Sequence, residues 1–220
     1  MTEDQWLAAT TPYNMLLHVR RDGPGLRTSA ARRKFRLLAC ACVRRLGDSF
    51  FPPELRTCVE TVERFAEGEI KDVQFWRIQS EARHVDWAQH PGAVRMVFFR
   101  LTSHKIWNVA RVWQSTTRPE WNDLRGNKPA AEKAHLAHVT RCLFGNPFRQ
   151  VTFDPAWRTS DAVALARGIY DDRAFDRMPI LADALQDAGC ADDGVLAHCR
   201  DTKTSHTRGC WVVDHVLGFS

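Results

Sequence analysis

Along this chain the apolar positions return at the spacing of an α-helix. Most such runs are bracketed by a capping residue at one end and by glycine or proline at the other. A run of that period can hide its oily stripe only against another helix, which removes most architectures at once. Phe35, Leu38, Ala39, Cys42 and Leu46 keep the spacing, and Arg32, Arg33, Arg36, Arg44 and Arg45 take much of the remaining surface. Leu55, Val59, Val62 and Phe65 form another stripe, opposite Glu60, Glu63 and Glu67. Nowhere do several alternating strand-like segments follow one another. The sequence therefore predicts an all-α fold: an irregular multi-helix bundle or a short helical solenoid, with a compact C-terminal helical part.

Local signals set the helix bounds. Thr2 with Gln5 has the form of a capping box. Thr11-Pro12 places proline at a first helical position, and Asp22-Gly23-Pro24-Gly25 ends that helix. Ser29 is the expected cap of the next helix, with Gly47 and Asp48 at its end. Pro52-Pro53 restarts the chain and Gly68 stops it. Asp72 is expected to cap a helix running through Phe75, Trp76, Ile78 and Trp87, interrupted by His90-Pro91-Gly92. The apolar stretch from Ala93 to about Ser115 reads as one long, central, buried helix. A loop over 118–128 precedes a helix from Pro129 to Phe144. Residues 146–158 read as an extended connector and as the boundary between parts 1–145 and 146–220, with one continuous domain as the alternative. Thr159 or Ser160 caps a helix, and further short helices are expected over 180–188 and 193–199. Length alone leaves 210–217 open between helix and strand.

Composition narrows the class. A hydrophobic fraction of 44% with 26% charged residues is that of a globular chain, so disorder is not expected. No apolar run approaches the roughly 20 residues that span a bilayer, and the N-terminus lacks an export pattern, so a cytoplasmic protein with no membrane partner is expected. Seven cysteines is an odd number, which favours thiols or a metal site over a disulfide framework. Cys40, Cys42, Cys58 and Cys142 fall in apolar helical patterns and are expected to be small buried hydrophobes.

The remaining cysteines suggest chemistry. Cys190, His198, Cys199, His206 and Cys210 crowd into the last third of the chain, with turn residues among them. Zinc takes four nitrogen or sulfur ligands at the corners of a tetrahedron, and loops between short helices can supply them. The spacing is irregular, and adjacent His198 and Cys199 diverge by about 100° on a helix, so one of the two is expected to bind. The competing reading packs the thiols in a helical core. No cofactor is expected, with zinc at this group as the alternative. A weaker group is His135 with His138, one helical turn apart and preceded by Glu132. It lacks the i, i+4 histidine pair of a zinc protease and reads first as a solvated face. Asp171, Asp172, Asp176 and Asp183 with Arg173 and Arg177 could split acid and base roles. Alternating Asp and Arg is also ordinary capping and ion pairing. No nucleophile elbow or phosphate loop accompanies them.

The segments FGNPFR (144–149), DPAW (154–157), ALARGIYDDRAFDRMPILADALQDAGC (164–190), LAHCR (196–200) and RGCWVVD (208–214) resemble a large paralogous family of uncharacterised planctomycete-type bacterial proteins. EDQWLAAT near the start and KFRLLACACVRR resemble it too. The resemblance implies no established activity. It implies an Ala/Trp/Arg-rich helical middle of variable length. Residues 71–137 depart from that pattern with Phe98, Phe99, Ile106 and several polar residues, as a middle adapted to a particular partner would.

That middle carries five of the eight tryptophans: Trp76, Trp87, Trp107, Trp113 and Trp121. Arg77, Arg83, Arg95, Arg100, Arg111 and Arg118 lie between them. Tryptophan and arginine are enriched at interface hot spots, and they also stack on bases and grip phosphates. The formal net charge of +5 suits an acidic partner. The leading expectation is a non-enzymatic helical interaction module, an accessory or regulatory subunit that binds a protein partner through Trp76, Arg77, Arg83, Trp87, Arg100, Trp107, Arg111 and Trp113. A nucleic-acid-associated subunit and a metal-dependent enzyme using the C-terminal Cys/His cluster are the alternatives.

Overall fold

A computed structural model describes residues 1–22, 28–46, 53–81, 84, 92–103, 105–117, 129–202 and 205–219. Among these the regular structure is helical throughout, as the periodicity requires, and no helix is long and apolar enough to cross a membrane. The chain divides into two compact units. One is Thr10–Leu136; the other joins Met1–Ala9 to Ala137–Ser220.

The first unit is built on α3 (Ser29–Arg44), against which α4 (Pro53–Ala66), α6 (Gly92–Leu101), α7 (Ile106–Ala110) and α8 (Val112–Thr116) pack. Phe35, Leu38, Ala39 and Cys42 of α3 are buried, as their spacing predicts, and Leu46 beyond its end is buried too. The cap is Thr28, whose hydroxyl accepts from the Ala31 N–H at 3.1 Å, one residue before the expected Ser29. α2 (Pro12–Asp22) begins at the proline that presets its first turn. α5 (Asp72–Glu81) follows Gly68, whose φ of +76° suits a residue without a Cβ. Gly23, Pro24, Gly25, Gly47, Asp48, Arg83, Trp87, His90, Pro91, Trp121 and the loop 118–128 lie outside the described residues.

The single long helix expected from 93 to 115 is instead three. The Thr102 hydroxyl donates to the Phe98 carbonyl at 3.0 Å. Ser103 Oγ accepts from the Lys105 N–H and from Asn108 Nδ2, each at 3.2 Å. At the second break Arg100 Nη1 donates to the Arg111 carbonyl at 2.7 Å. Side chains that bond nearby backbone offer the chain an alternative to the helical ladder, and here they take it.

The second unit holds α1 (Glu3–Ala8), the C-terminal half of α9 (Pro129–Phe144), α10 (Ser160–Asp172), α11 (Met178–Asp187), α12 (Asp193–Arg200) and α13 (Trp211–Leu217). Segment 210–217 is thus helical after Cys210. Thr159 caps α10 and Asp192 caps α12, each side chain accepting from the N–H three residues on. α10 packs on α11 and α13, and α11 on α12. Ile169, Met178, Leu181, Leu185, Val195, Val212 and Val216 fill the space between them. The connector 146–158 belongs to this unit and contains one 3-10 turn, Pro155–Trp157, capped by Asp154.

Candidate metal centre

The polar loop between α12 and α13 is held by Arg208. Its Nε donates to the Tyr170 carbonyl at 3.2 Å and its Nη2 to the Asp171 carbonyl at 3.1 Å, with the guanidinium over the Tyr170 ring. These are last-turn carbonyls of α10, which lack intrahelical donors, so the arginine meets a need of the helix while fixing the loop. Gly209, at φ +83°, turns the chain, and the Cys210 N–H donates to the Thr207 carbonyl at 3.0 Å. Two residues before Arg208 stands His206, and two after it Cys210.

These two meet a third side chain from α12 and a fourth from α9. His198 Nε2 lies 3.2 Å from Cys210 Sγ. His206 Nδ1 lies 3.7 Å from Cys142 Sγ and 4.0 Å from Cys210 Sγ. The four ligand atoms of Cys142, His198, His206 and Cys210 all fall within 4.8 Å of one another. Both cysteines are fully buried and both histidines half-buried. A tetrahedral ion with metal–sulfur bonds of about 2.3 Å and metal–nitrogen bonds of about 2.0 Å separates its ligand atoms by about 3.3–3.8 Å. The observed separations bracket that range. As hydrogen bonds the two contacts of His206 are long and weak. His206 Nε2 is also buried and bonds to nothing among the described residues. An imidazole served so poorly by its neighbours is a costly packing residue and a sensible ligand. The group could hold a metal ion.

Electrostatics point the same way. Burial works against ionisation of Cys210, yet the Cys142 thiol and the imidazoles of His198 and His206 outweigh it and hold the Cys210 thiol well below its usual range. Metal ligation needs that thiolate. The other cysteines behave differently. Burial pushes the thiols of Cys42, Cys58, Cys190 and Cys199 up. Neighbouring thiols add to the effect at Cys199, since Cys210 and Cys190 both oppose a further negative charge.

Of the five residues proposed from sequence, the structure brings His198, His206 and Cys210 together; Cys190 and Cys199 are buried beside them in the core and are not members of the group. The divergence of His198 and Cys199 on α12 is resolved in favour of the histidine. Cys142, read from sequence as a buried hydrophobe, is the fourth member. It sits between Val139 and Leu143 on the apolar stripe of α9, and nothing local distinguishes it from Cys42 or Cys58. His135 and His138 do not join a ligand group among the described residues, and Glu132 of that set faces Arg45 Nε at 3.3 Å. Asp183 pairs with Arg200 at 2.8 Å, and Asp171, Asp172 and Asp176 are exposed.

The tryptophan and arginine set is partly interior. Trp113 is buried, and Trp76 and Trp107 are half-buried, the latter under Arg20. Arg100 and Arg111 both reach Gln114 Oε1, at 3.4 and 2.8 Å, and so brace the breaks around α7 and α8. Arg77 pairs with Glu81 on an exposed face. No family model, no curated protein and no solved structure matches the chain.

Proposed function

We infer that the chain is a zinc-pinned helical module with a non-enzymatic role, an accessory subunit that presents a rigid helical surface to a protein partner. The observation behind this reading is the convergence of two thiols and two imidazoles, drawn from α9, α12 and the loop leading into α13, with their ligand atoms all within 4.8 Å of one another. Soft sulfur with imidazole in tetrahedral array suits Zn2+ among the common divalent ions. Four protein ligands fill its coordination, the pattern of a structural site; a catalytic zinc keeps one position for water or substrate. Cys142, His198, His206 and Cys210 would hold the ion, and their chemistry there is retention of fold.

A metal-dependent enzyme remains the second reading, on a specific feature. A cleft of about 440 Å³, lined by Phe175, Met178, Cys199, Ser205 and His206 among others, reaches one of the ligands. Loss of a histidine ligand to solvent on that side would open a position.

Metal analysis of protein purified without added metal tests the first reading. One equivalent of zinc is expected, lost on chelation. Cobalt substitution should give the intense visible bands of a tetrahedral thiolate site. Well under one equivalent, with no cobalt spectrum, would sink the reading; a four- or five-coordinate cobalt spectrum with an exchangeable water ligand would favour the enzyme.

A further inference from the structure

Resting on the zinc reading, we propose that metal occupancy governs the docking of the N-terminal helix α1, through Arg141, the residue next to Cys142.

At six residues α1 is too short to persist alone in water. Its capping box satisfies the first turn, where the Thr2 N–H donates to Gln5 Oε1 at 3.0 Å and the Gln5 N–H to Thr2 Oγ1 at 3.3 Å. Inside its last turn the Ala9 N–H donates to the Trp6 carbonyl at a long 3.4 Å. Arg141 adds to this: Nε donates to the Trp6 carbonyl at 3.3 Å, and Nη2 to the carbonyls of Leu7, at 2.8 Å, and Ala9. Two more contacts come from the turn after α9. Asn146 Nδ2 donates to Glu3 Oε1 at 2.7 Å, and Arg149 pairs with the same carboxylate. Trp6 is fully buried. The polar contacts that hold α1 therefore come largely from 141–149, the last turn of α9 and the bend beyond it.

Trp211 and the metal group both bear on that receiver. Gly145, at φ +64°, lies so near Trp211 that a Cβ there would stand 3.3 Å from the indole. Cys142 is a member of the metal group. With the ion bound, the last turn of α9 is tied through Cys142 to His198, His206 and Cys210. With it gone, the same turn loses that tie, and the guanidinium one residue away loses one fixed neighbour. Coupling is reciprocal: whatever factor the ion adds to α1 docking, α1 docking adds to ion affinity.

Hydrogen exchange of the full-length protein, with bound zinc and after chelation, tests this. Exchange of the α1 amides is expected to rise about tenfold on zinc removal, a typical coupling, and to return on zinc addition, while 160–187 stays protected. Arg141→Lys keeps the charge but loses the fork. It should loosen α1 in the zinc-bound protein and weaken zinc binding by the same factor. Four results would overturn the proposal. If zinc leaves and α1 exchange is unchanged, the latch is wrong and the zinc site stands. If 160–187 loses protection together with α1, the ion holds the whole unit and not the latch. If Arg141→Lys loosens α1 with no change in zinc affinity, the two are not coupled. If no zinc binds at all, the site and the latch fall together.

Discussion

The two units solve one problem, how to fix short helices, by different means. The unit Thr10–Leu136 uses charge. Arg44 grips Glu63 with both Nε and Nη2, at 2.8 and 2.7 Å, and Arg33 reaches Glu67 with Nε and Nη2 across the same pair of helices. Arg36 is 9% exposed and lies over the stacked rings of Phe65 and Phe75, whose centroids are 4.2 Å apart. Burial lowers the Arg36 pKa, with Arg32 adding to the effect, and the ring faces give the guanidinium a partner that water does not. The unit containing α10–α13 has arginine contacts too, and adds to them a group of two thiols and two imidazoles. Carboxylate–guanidinium pairs join helices two at a time. A tetrahedral ion on the proposed site would join three chain segments at one point, which suits α12 and α13, of eight and seven residues.

The largest expected effect breaks the metal side of this comparison. Cys142→Ala removes a ligand and should abolish stoichiometric zinc, with a loss of stability of several kcal/mol in the C-terminal unit. Cys199→Ala, in the same core but outside the ligand group, should keep zinc and cost about 1 kcal/mol. Equal effects from the two variants would show that both cysteines merely pack. Acid should mimic the first variant. A thiol held below its unfolded pKa contributes stability that is full above the unfolded value and is lost as pH falls through the folded one. Cys210 is such a group, so metal-free protein should lose stability as pH falls below the usual thiol range, and zinc affinity should fall in parallel. Thermal melts across pH, with and without chelator, read both.

Much of the helical frame was legible and the metal centre only in part, for a physical reason. Caps and stops are local: Thr2 with Gln5, Pro12, Thr159 and Gly68 each act within a turn of where they stand, and each was readable. The break at Thr102 and Ser103 is also local, but it depends on hydroxyls choosing backbone partners, which an apolar count over 93–115 does not register. Ligand convergence is not local at all. Cys142 and His206 are 64 residues apart, and the bend between them is set by Arg208 and by packing of α10–α13. A cluster dense in sequence therefore gave three of the four members and two cysteines beside them. Trp113, read from sequence as a binding residue, is 8% exposed, a burial that the residue type alone does not announce.

On the charge side the next largest effect is Arg44→Ala. It removes the bidentate donor of the Glu63 carboxylate, which is 5% exposed, and breaking a buried ion pair by taking one partner away costs about 3 kcal/mol. Denaturant melts of the variant should show that loss in the Thr10–Leu136 unit alone, with zinc content unchanged. Glu63→Gln should cost less, because Arg44 is about a third exposed and can turn to water.

The smallest effect separates paired charge from useful charge. Arg77 and Glu81 stand one turn apart on α5, with Nε and Oε1 at 2.8 Å, a distance as short as in the Arg44 pair. Their side chains, however, are 80% and 61% exposed. Water screens the attraction, and holding two long side chains in one geometry costs entropy, so such pairs contribute about 0.3–0.5 kcal/mol. Arg77→Ala should therefore shift the denaturant midpoint by an amount near the error of measurement. Added salt should erase even that, while the buried Arg44–Glu63 pair, less open to screening ions, keeps most of its effect. If Arg77→Ala instead costs as much as Arg44→Ala, burial is not what distinguishes the two pairs. The first unit would then be held by its charges wherever they lie, and its contrast with the Cys/His-centred unit would be one of ligand type only.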